Sequence, residues 1–228
     1  MNKSKKLIIV GIGETAEIAY EYFTYDSSYE VMGFSVNRRF IQADHFLGLP
    51  VYDFETLEST RSPLIFEVYI AISHVKLNRT RAKMYYEAKQ KGFKCANYIS
   101  SHAFVWRNVK LGDNIFIFEN NVLQPNVKLG NNITLWSGNH IGHRSVIHDH
   151  VFISSQCVIA GFCEIGEYSF LGVNSTCNDN IIIAKDNIIG SGALVWKNTN
   201  KGQLMIGSPA LASFRSSYET LNILPEEV

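Results

Sequence analysis

Residues 103–198 divide without remainder into sixteen hexads: AFVWRN, VKLGDN, IFIFEN, NVLQPN, VKLGNN, ITLWSG, NHIGHR, SVIHDH, VFISSQ, CVIAGF, CEIGEY, SFLGVN, STCNDN, IIIAKD, NIIGSG and ALVWKN. The third position is Leu, Ile or Val in fifteen of them, with Cys177 the exception. With such residues at about a quarter of positions, chance does not produce that register. A six-residue period suits neither an α-helix nor a heptad, but it suits a short strand followed by a sharp corner. The aliphatic third residue points inward, and the small or aliphatic first residue (Val109, Ile115, Val127, Ser145, Cys157, Ser169) fills a tighter inward site. Gly, Asn and Asp recur at positions four to six, where corners with positive φ are expected. Three flat faces close one triangular coil of eighteen residues, so this stretch makes about five stacked coils around a continuous aliphatic column.

Outside the repeat the pattern changes. Before about residue 95, short apolar runs alternate with helical stretches, the pattern of parallel strands joined by crossover helices. Strands are expected at Lys6–Val10, Tyr29–Ser35 and Phe66–Ile72, and helices at Thr15–Phe23 and Leu77–Lys91, the latter ending at Gly92 as a left-handed cap. Lys94–Ile99 returns as a strand that leaves the domain. The expected fold is therefore an α/β N-terminal domain (1–100) with a Rossmann-like parallel sheet, then a parallel β-helix of hexapeptide repeats (101–211). A C-terminal tail (212–228) follows, with a short helix over the open end between Ser213 and Leu221.

Composition narrows the function. The 21 basic and 21 acidic residues balance, and no basic stripe is present, which argues against a nucleic-acid partner. No apolar run is long enough to span a bilayer, and the one after Lys6 stops at Gly11, too short for a signal peptide, so no membrane is expected and the expected location is cytoplasmic. Four cysteines (Cys95, Cys157, Cys163, Cys177) show no CxxC pair and no zinc-ligand spacing, so they read as buried thiols and no metal is expected. Four histidines, His140, His143, His148 and His150, fall within eleven residues. His143 is fifth in its hexad and should present its imidazole outward as a potential general base. His148 and His150 read as polar surface residues.

The stretch Asn139-His-Ile-Gly-His143, followed by Phe152-Ile-Ser, Ala160-Gly161 and Phe170-Leu-Gly-Val173-Asn-Ser175, resembles a family of bacterial sugar acetyltransferases. These join a small α/β domain to the left-handed parallel β-helix of the hexapeptide acyltransferases. The family includes bacillosamine-pathway and GDP-perosamine N-acetyltransferases and sialic-acid-type O-acetyltransferases. In its members the base is a histidine eleven residues before the serine of the Ile-Ser pair, which implies His143. The resemblance implies acetyl-CoA as acyl donor, contacted at Gly161, Val173 and Ser191, in a groove between subunits of a homotrimer. It also implies direct attack of a sugar amine or hydroxyl on the thioester, in surface glycan biosynthesis. Gly161 lies eighteen residues after His143, one coil on, where a missing side chain admits the pantetheine arm.

At the first strand-to-helix turn the chain reads Val10-Gly11-Ile12-Gly13-Glu14. It lacks the third glycine of a dinucleotide site, and the second strand ends in Ser35-Val36-Asn37 without an acid for a ribose, which argues against an NAD enzyme. The resemblance instead assigns the turn, through Gly11 and Gly13, to the diphosphate of a nucleotide sugar, with Asn37 and Ser73 as base and ribose contacts. The chain departs from the family at four places: Arg144 stands where an acid usually orients the base, Phe152 replaces a second histidine, the second strand ends without the acid that relatives often carry there, and Ser208 replaces Asn in Met205-Ile-Gly-Ser-Pro-Ala210. Asp149, Glu119 and Glu167 are the candidate orienters. Sugar O-acetylation and a noncatalytic solenoid scaffold are the competing functions.

Overall fold

The computed structural model describes residues 3–222 and residue 224. Its first unit holds β1 (Lys5–Val10), α1 (Glu14–Tyr25), β2 (Tyr29–Val36), β3 (His45–Phe46), β4 (Leu49–Asp53), α2 (Leu57–Thr60), β5 (Phe66–Ile70) and α3 (Arg79–Gln90). The sheet runs β3-β4-β2-β1-β5, parallel except where β3 meets β4. Leu7, Ile8, Ile9 and Val10 are all buried because the sheet is covered on both faces. On one side Leu7 and Ile9 pack with Phe23 of α1, and on the other Ile8 and Val10 pack with Tyr85 of α3. Gly92 takes φ +86° just after α3, as its position past a helix end requires. The β3–β4 hairpin, turning at Leu47-Gly48, was not legible in the strand pattern because its strands are short and only half buried.

From Tyr98 onward the chain winds as a left-handed parallel β-helix of two-residue strands in three stacks. One stack contains His140–Ile141, the next Val146–Ile147 and the third Phe152–Ile153. Successive strands pair eighteen residues apart, as in Val122↔His140↔Val158. The third-position residues from Ile117 to Ile189 form the core column, and Cys177 lies in it with no exposed surface. The four cysteines are all buried.

The corners are sharper than the expectation from composition. Positive φ is confined to the sixth position, at residues 114, 120, 126, 132, 138, 144, 150, 156, 162, 168, 174, 180, 186 and 192. Asn, Asp or Gly fills nine of these, as local hydrogen bonding or a missing Cβ makes that conformation tolerable. The five consecutive corners Arg144, His150, Gln156, Phe162 and Tyr168 carry larger side chains at a cost of about 1 kcal/mol each. Four of them make contacts beyond the turn itself: His150 and Tyr168 meet the first domain, and Arg144 and Phe162 flank His143.

The two units are joined by polar groups sealed from water. Arg81 of α3 is 1% exposed, and its five N–H groups reach the Ile70, Asn132 and Asn114 carbonyls, the Thr134 hydroxyl and the Tyr69 hydroxyl at 2.6–3.4 Å. Beside it runs a hydrogen-bonded column of sixth-position residues whose direction is fixed from one end. The Ile70 N–H donates to Asn114 Oδ1, Asn114 Nδ2 donates to Asn132 Oδ1, and Asn132 Nδ2 therefore faces His150 Nδ1 at 2.9 Å. Nδ1 must accept, so Nε2 carries the hydrogen and donates to the Tyr86 hydroxyl at 2.9 Å. Tyr168 stacks on the same imidazole, and Arg79 lies over Tyr168 and pairs with Asp186.

His150 is thus 1% exposed at a domain interface and not a surface residue as its polarity suggested; its column, and not its own type, buries it. His148 does face solvent, with Nε2 2.7 Å from Glu164. The tail forms a helix at Ser217–Leu221, closed by a capping box between Ser216 and Glu219. Residues 211–222 are exposed throughout, so within one chain this helix covers no open end.

Burial lowers the His150 pKa from 6.5 to about 4. The unfolded chain takes up this proton first, so the stability held by the neutral ring is complete above pH 6.5 and is lost as pH falls to about 4. Denaturant titrations should show a loss on the order of 3 kcal/mol from this group over that window. His150→Asn, which suits the left-handed corner and continues the amide column, should remove that part of the pH dependence while keeping the fold.

Candidate active site

The corner between the His140–Ile141 and Val146–Ile147 stacks presents His143 to solvent. Its backbone N–H donates to Gln124 Oε1 at 2.9 Å, and its ring Nδ1 lies 3.3 Å from the same oxygen. The Phe162 ring meets the imidazole edge-to-face at a centroid distance of 5.0 Å. Gly161 sits directly beside it, as eighteen-residue spacing requires. A Cβ on Gly161 would lie 2.5 Å from His143 Cε1, so any side chain there would displace the ring. The Gly161 N–H donates to Asp179 Oδ1 at 2.8 Å, one further coil along the same corner.

The carboxylates expected to orient His143 lie on other corners. Asp149 accepts from the backbone and side chain of Asn131, and Glu119 accepts from the Tyr22 hydroxyl and from Ser137 Oγ. Glu167 follows Asp149 by one coil on the same wrong corner. A corner recurs every eighteen residues, and neither 119, 149 nor 167 differs from 143 by that interval. Gln124 lies one coil before Gly142, the residue that adjoins His143, and that arithmetic was available from the sequence alone.

A second site opens between the domains as a cavity of about 350 Å³. Its walls are the start of α1 (Glu14, Thr15), the loop after β5 (Ser73, His74) and the outer face of the third strand stack with its following corner, including Phe118, Trp136, Phe152, Ser155 and Val173. Phe118 and Trp136 stack at 4.5 Å and 8°, giving the cleft a flat aromatic wall. His74, unnoticed in the sequence because it stands alone in a loop, lies 4.8 Å from both the Phe152 and Phe170 rings. The position where relatives are expected to carry a second histidine is therefore covered by an imidazole from the other domain.

The remaining expected residues divide between these places and two others. Gly11 is buried, with φ +138°, and a Cβ would meet the Ala71 carbonyl oxygen at 2.5 Å, so its role includes letting β1 turn past the end of β5. Gly13 caps α1 with open space where a side chain would be. Ser73 lines the cleft, whereas Asn37, at the end of β2, lines a separate depression with Glu55, Glu58 and Lys91. Val173 and Ser191 share the corner after the third stack, and Gly207 of the Met205–Ala210 segment packs so closely on Ser191 that its Cβ would meet the Ser191 carbonyl oxygen at 2.2 Å. One chain thus holds His143 and Gly161 on one corner and Val173 and Ser191 on another. Among the described residues no group of three His, Cys, Asp or Glu could hold a metal ion, and no helix is long and apolar enough to cross a membrane.

Residues 144–179 match the family model described as bacterial transferase hexapeptide (six repeats). The chain superposes on perosamine N-acetyltransferase from Caulobacter crescentus, solved with CoA and GDP-perosamine, with a TM-score of 0.80 at 24% identity over 90% of this chain and 95% of that one. It has the two-domain fold of the hexapeptide-repeat sugar acetyltransferases. The acetyltransferase domain of PglB from Neisseria gonorrhoeae gives a TM-score of 0.80 at 23% identity over 91% of this chain and 99% of that domain. Among curated proteins, gamma carbonic anhydrase 1 of Arabidopsis thaliana mitochondria is 33% identical over 70 residues, which is 30% of this chain and a quarter (25%) of that protein's length.

Gly161→Ala isolates the packing of the imidazole. The substitution is expected to leave the thermal midpoint within a few degrees of the parent, because Gly161 does not need a left-handed φ. The displaced ring should appear as altered His143 resonances in a histidine-selective NMR spectrum.

Proposed function

We propose that the protein is an acetyl-CoA-dependent N-acetyltransferase acting on a nucleotide-linked amino-deoxy sugar. The observation that carries this reading is the exposed His143 imidazole, held through Nδ1 and packed against a glycine, on a fold shared with proteins solved with CoA and a nucleotide sugar. The α/β domain supplies a second element in support, a helix start and an aromatic-walled cleft large enough for part of a nucleotide sugar.

The acyl donor supplies the thioester carbonyl. His143 Nε2 accepts the proton of the attacking amine as its nitrogen bonds to the carbonyl carbon. As the carbon–sulfur bond breaks, His143 returns that proton to the leaving thiolate, so the products are the amide and the free thiol. Negative charge on the carbonyl oxygen needs an N–H donor. Gly161, which packs against the imidazole, offers its N–H, and that N–H must exchange Asp179 for the oxygen. Gly13, Gly11 and Ser73 are assigned to the nucleotide sugar and Asn37 to its base, while Val173 and Ser191 are assigned to the coenzyme.

Because His143 and Val173 stand on different corners of one prism, a groove that uses both is best formed between two copies, and a homotrimer supplies three equivalent grooves. Light scattering should then give three times the chain mass. The acetylated product would serve surface glycan synthesis.

Purified protein should release thiol from acetyl-CoA with one member of a panel of UDP-, GDP- and dTDP-linked amino-deoxy sugars. His143→Ala should lower that rate by at least about 10²-fold without changing the thermal midpoint. Turnover that survives the substitution removes His143 as the base. Release only with hydroxyl acceptors would replace N- by O-acetylation, and release with none would leave a binding scaffold.

A further inference from the structure

We infer that Gln124, an uncharged amide from the preceding coil, is the positioning residue of His143 and takes the place of the carboxylate that Arg144 displaces. The catalytic consequence rests on the function proposed above, but the geometry does not. The His143 backbone N–H can only donate, so the Gln124 atom 2.9 Å from it is the oxygen. That oxygen also faces ring Nδ1 at 3.3 Å and can only accept, so Nδ1 carries the hydrogen and the neutral ring leaves Nε2 as the bare nitrogen.

Gln124 is itself firmly placed. Its N–H donates to the Ile141 carbonyl at 3.0 Å in the coil-to-coil ladder, and Pro125 restricts it to an extended backbone. Arg144 cannot orient the ring in this way, because it takes φ +61° and its guanidinium lies 5.9 Å from the centre of the Phe162 ring. The charged groups on the corner are Arg107 two coils before, Arg144 beside the ring, Asp179 two coils after and Lys197 three coils after. The one acid among them is bound to the Gly161 N–H. An amide therefore fixes the tautomer without favouring the imidazolium, whereas a carboxylate at the same place would do both.

The test compares the parent with Gln124→Met, which keeps length but accepts no such bond, and Gln124→Glu, which keeps the acceptor and adds charge. In ¹⁵N-histidine NMR near neutral pH, with His143 identified by its loss in His143→Ala, the parent should show the Nδ1–H tautomer. Gln124→Met should lose it in favour of a mixture or the Nε2–H form. In turnover, Gln124→Met should lower kcat at least about tenfold with KM for acetyl-CoA within about twofold. Gln124→Glu should recover most of the loss above neutrality while moving the acid limb of kcat/KM up by about one pH unit, because the new carboxylate holds the proton on the base to higher pH.

An unchanged tautomer and kcat in Gln124→Met would overturn the inference, as would an unshifted acid limb in Gln124→Glu. The NMR arm needs no turnover. A tautomer that depends on Gln124 in a protein without acetyltransferase activity sinks the proposed function and keeps the positioning role. Activity with a tautomer indifferent to Gln124 does the reverse.

Discussion

A backbone that must turn through φ near +60° once every six residues is the constraint on which the rest of this molecule depends. It sets the coil at eighteen residues, and the coil sets which side chains become neighbours. Third-position aliphatics stack into a dry column, and outward residues eighteen apart become vertical neighbours on one corner. Each neighbouring pair is then held by amide ladders that cannot slip without breaking the core. Function is placed by the same rule. His143 meets Gly161 because one coil separates them, and His143 meets Gln124 because the preceding coil brings that amide to the same corner.

The rule has exceptions at the sites that do more than turn. A run of five corners carries Arg, His, Gln, Phe and Tyr where Asn or Gly would be less strained. His150 and Tyr168 there receive α3, and Phe162 and Arg144 build the surround of His143. Strain kept at such positions is offset by contacts that only larger side chains make. The interface combines an aromatic cluster, in which Phe23 and Tyr69 pack on Phe116, with the buried guanidinium of Arg81. Arg81 finds five acceptors and no carboxylate, so it fixes the angle between the domains through geometry more than through ion pairing. That angle opens the cleft between α1, His74 and the aromatic wall of the β-helix.

The corner around His143 shows how a structural ladder becomes a chemical device. Elsewhere, side-chain oxygens at these corners cap backbone N–H groups from adjoining coils, as Asn131 does for Asp113 and Asp149 does for Asn131. Gln124 performs the same capping for His143, and its oxygen then also reaches the ring. A bond that repeats for stability along the solenoid thereby dictates which imidazole nitrogen is free.

The hexad register determined the β-helix, its core column, three of the four buried cysteines and the meeting of His143 with Gly161, because a strict period converts sequence distance directly into spatial distance. The βαβ pattern likewise carried the parallel sheet and the glycine turn at the start of α1. Only tertiary structure decided what non-periodic segments bring to the repeat: Arg81, Asn78 and Tyr86 burying His150, and His74 lying over Phe152. The separation of His143 from Val173 onto different corners, and the exclusion of Asp149, Glu119 and Glu167 from the imidazole, were implicit in the same eighteen-residue arithmetic but became evident with the three strand stacks in view. Period fixes neighbours within one corner, whereas contacts between a solenoid and a separate domain depend on an angle that no local pattern encodes.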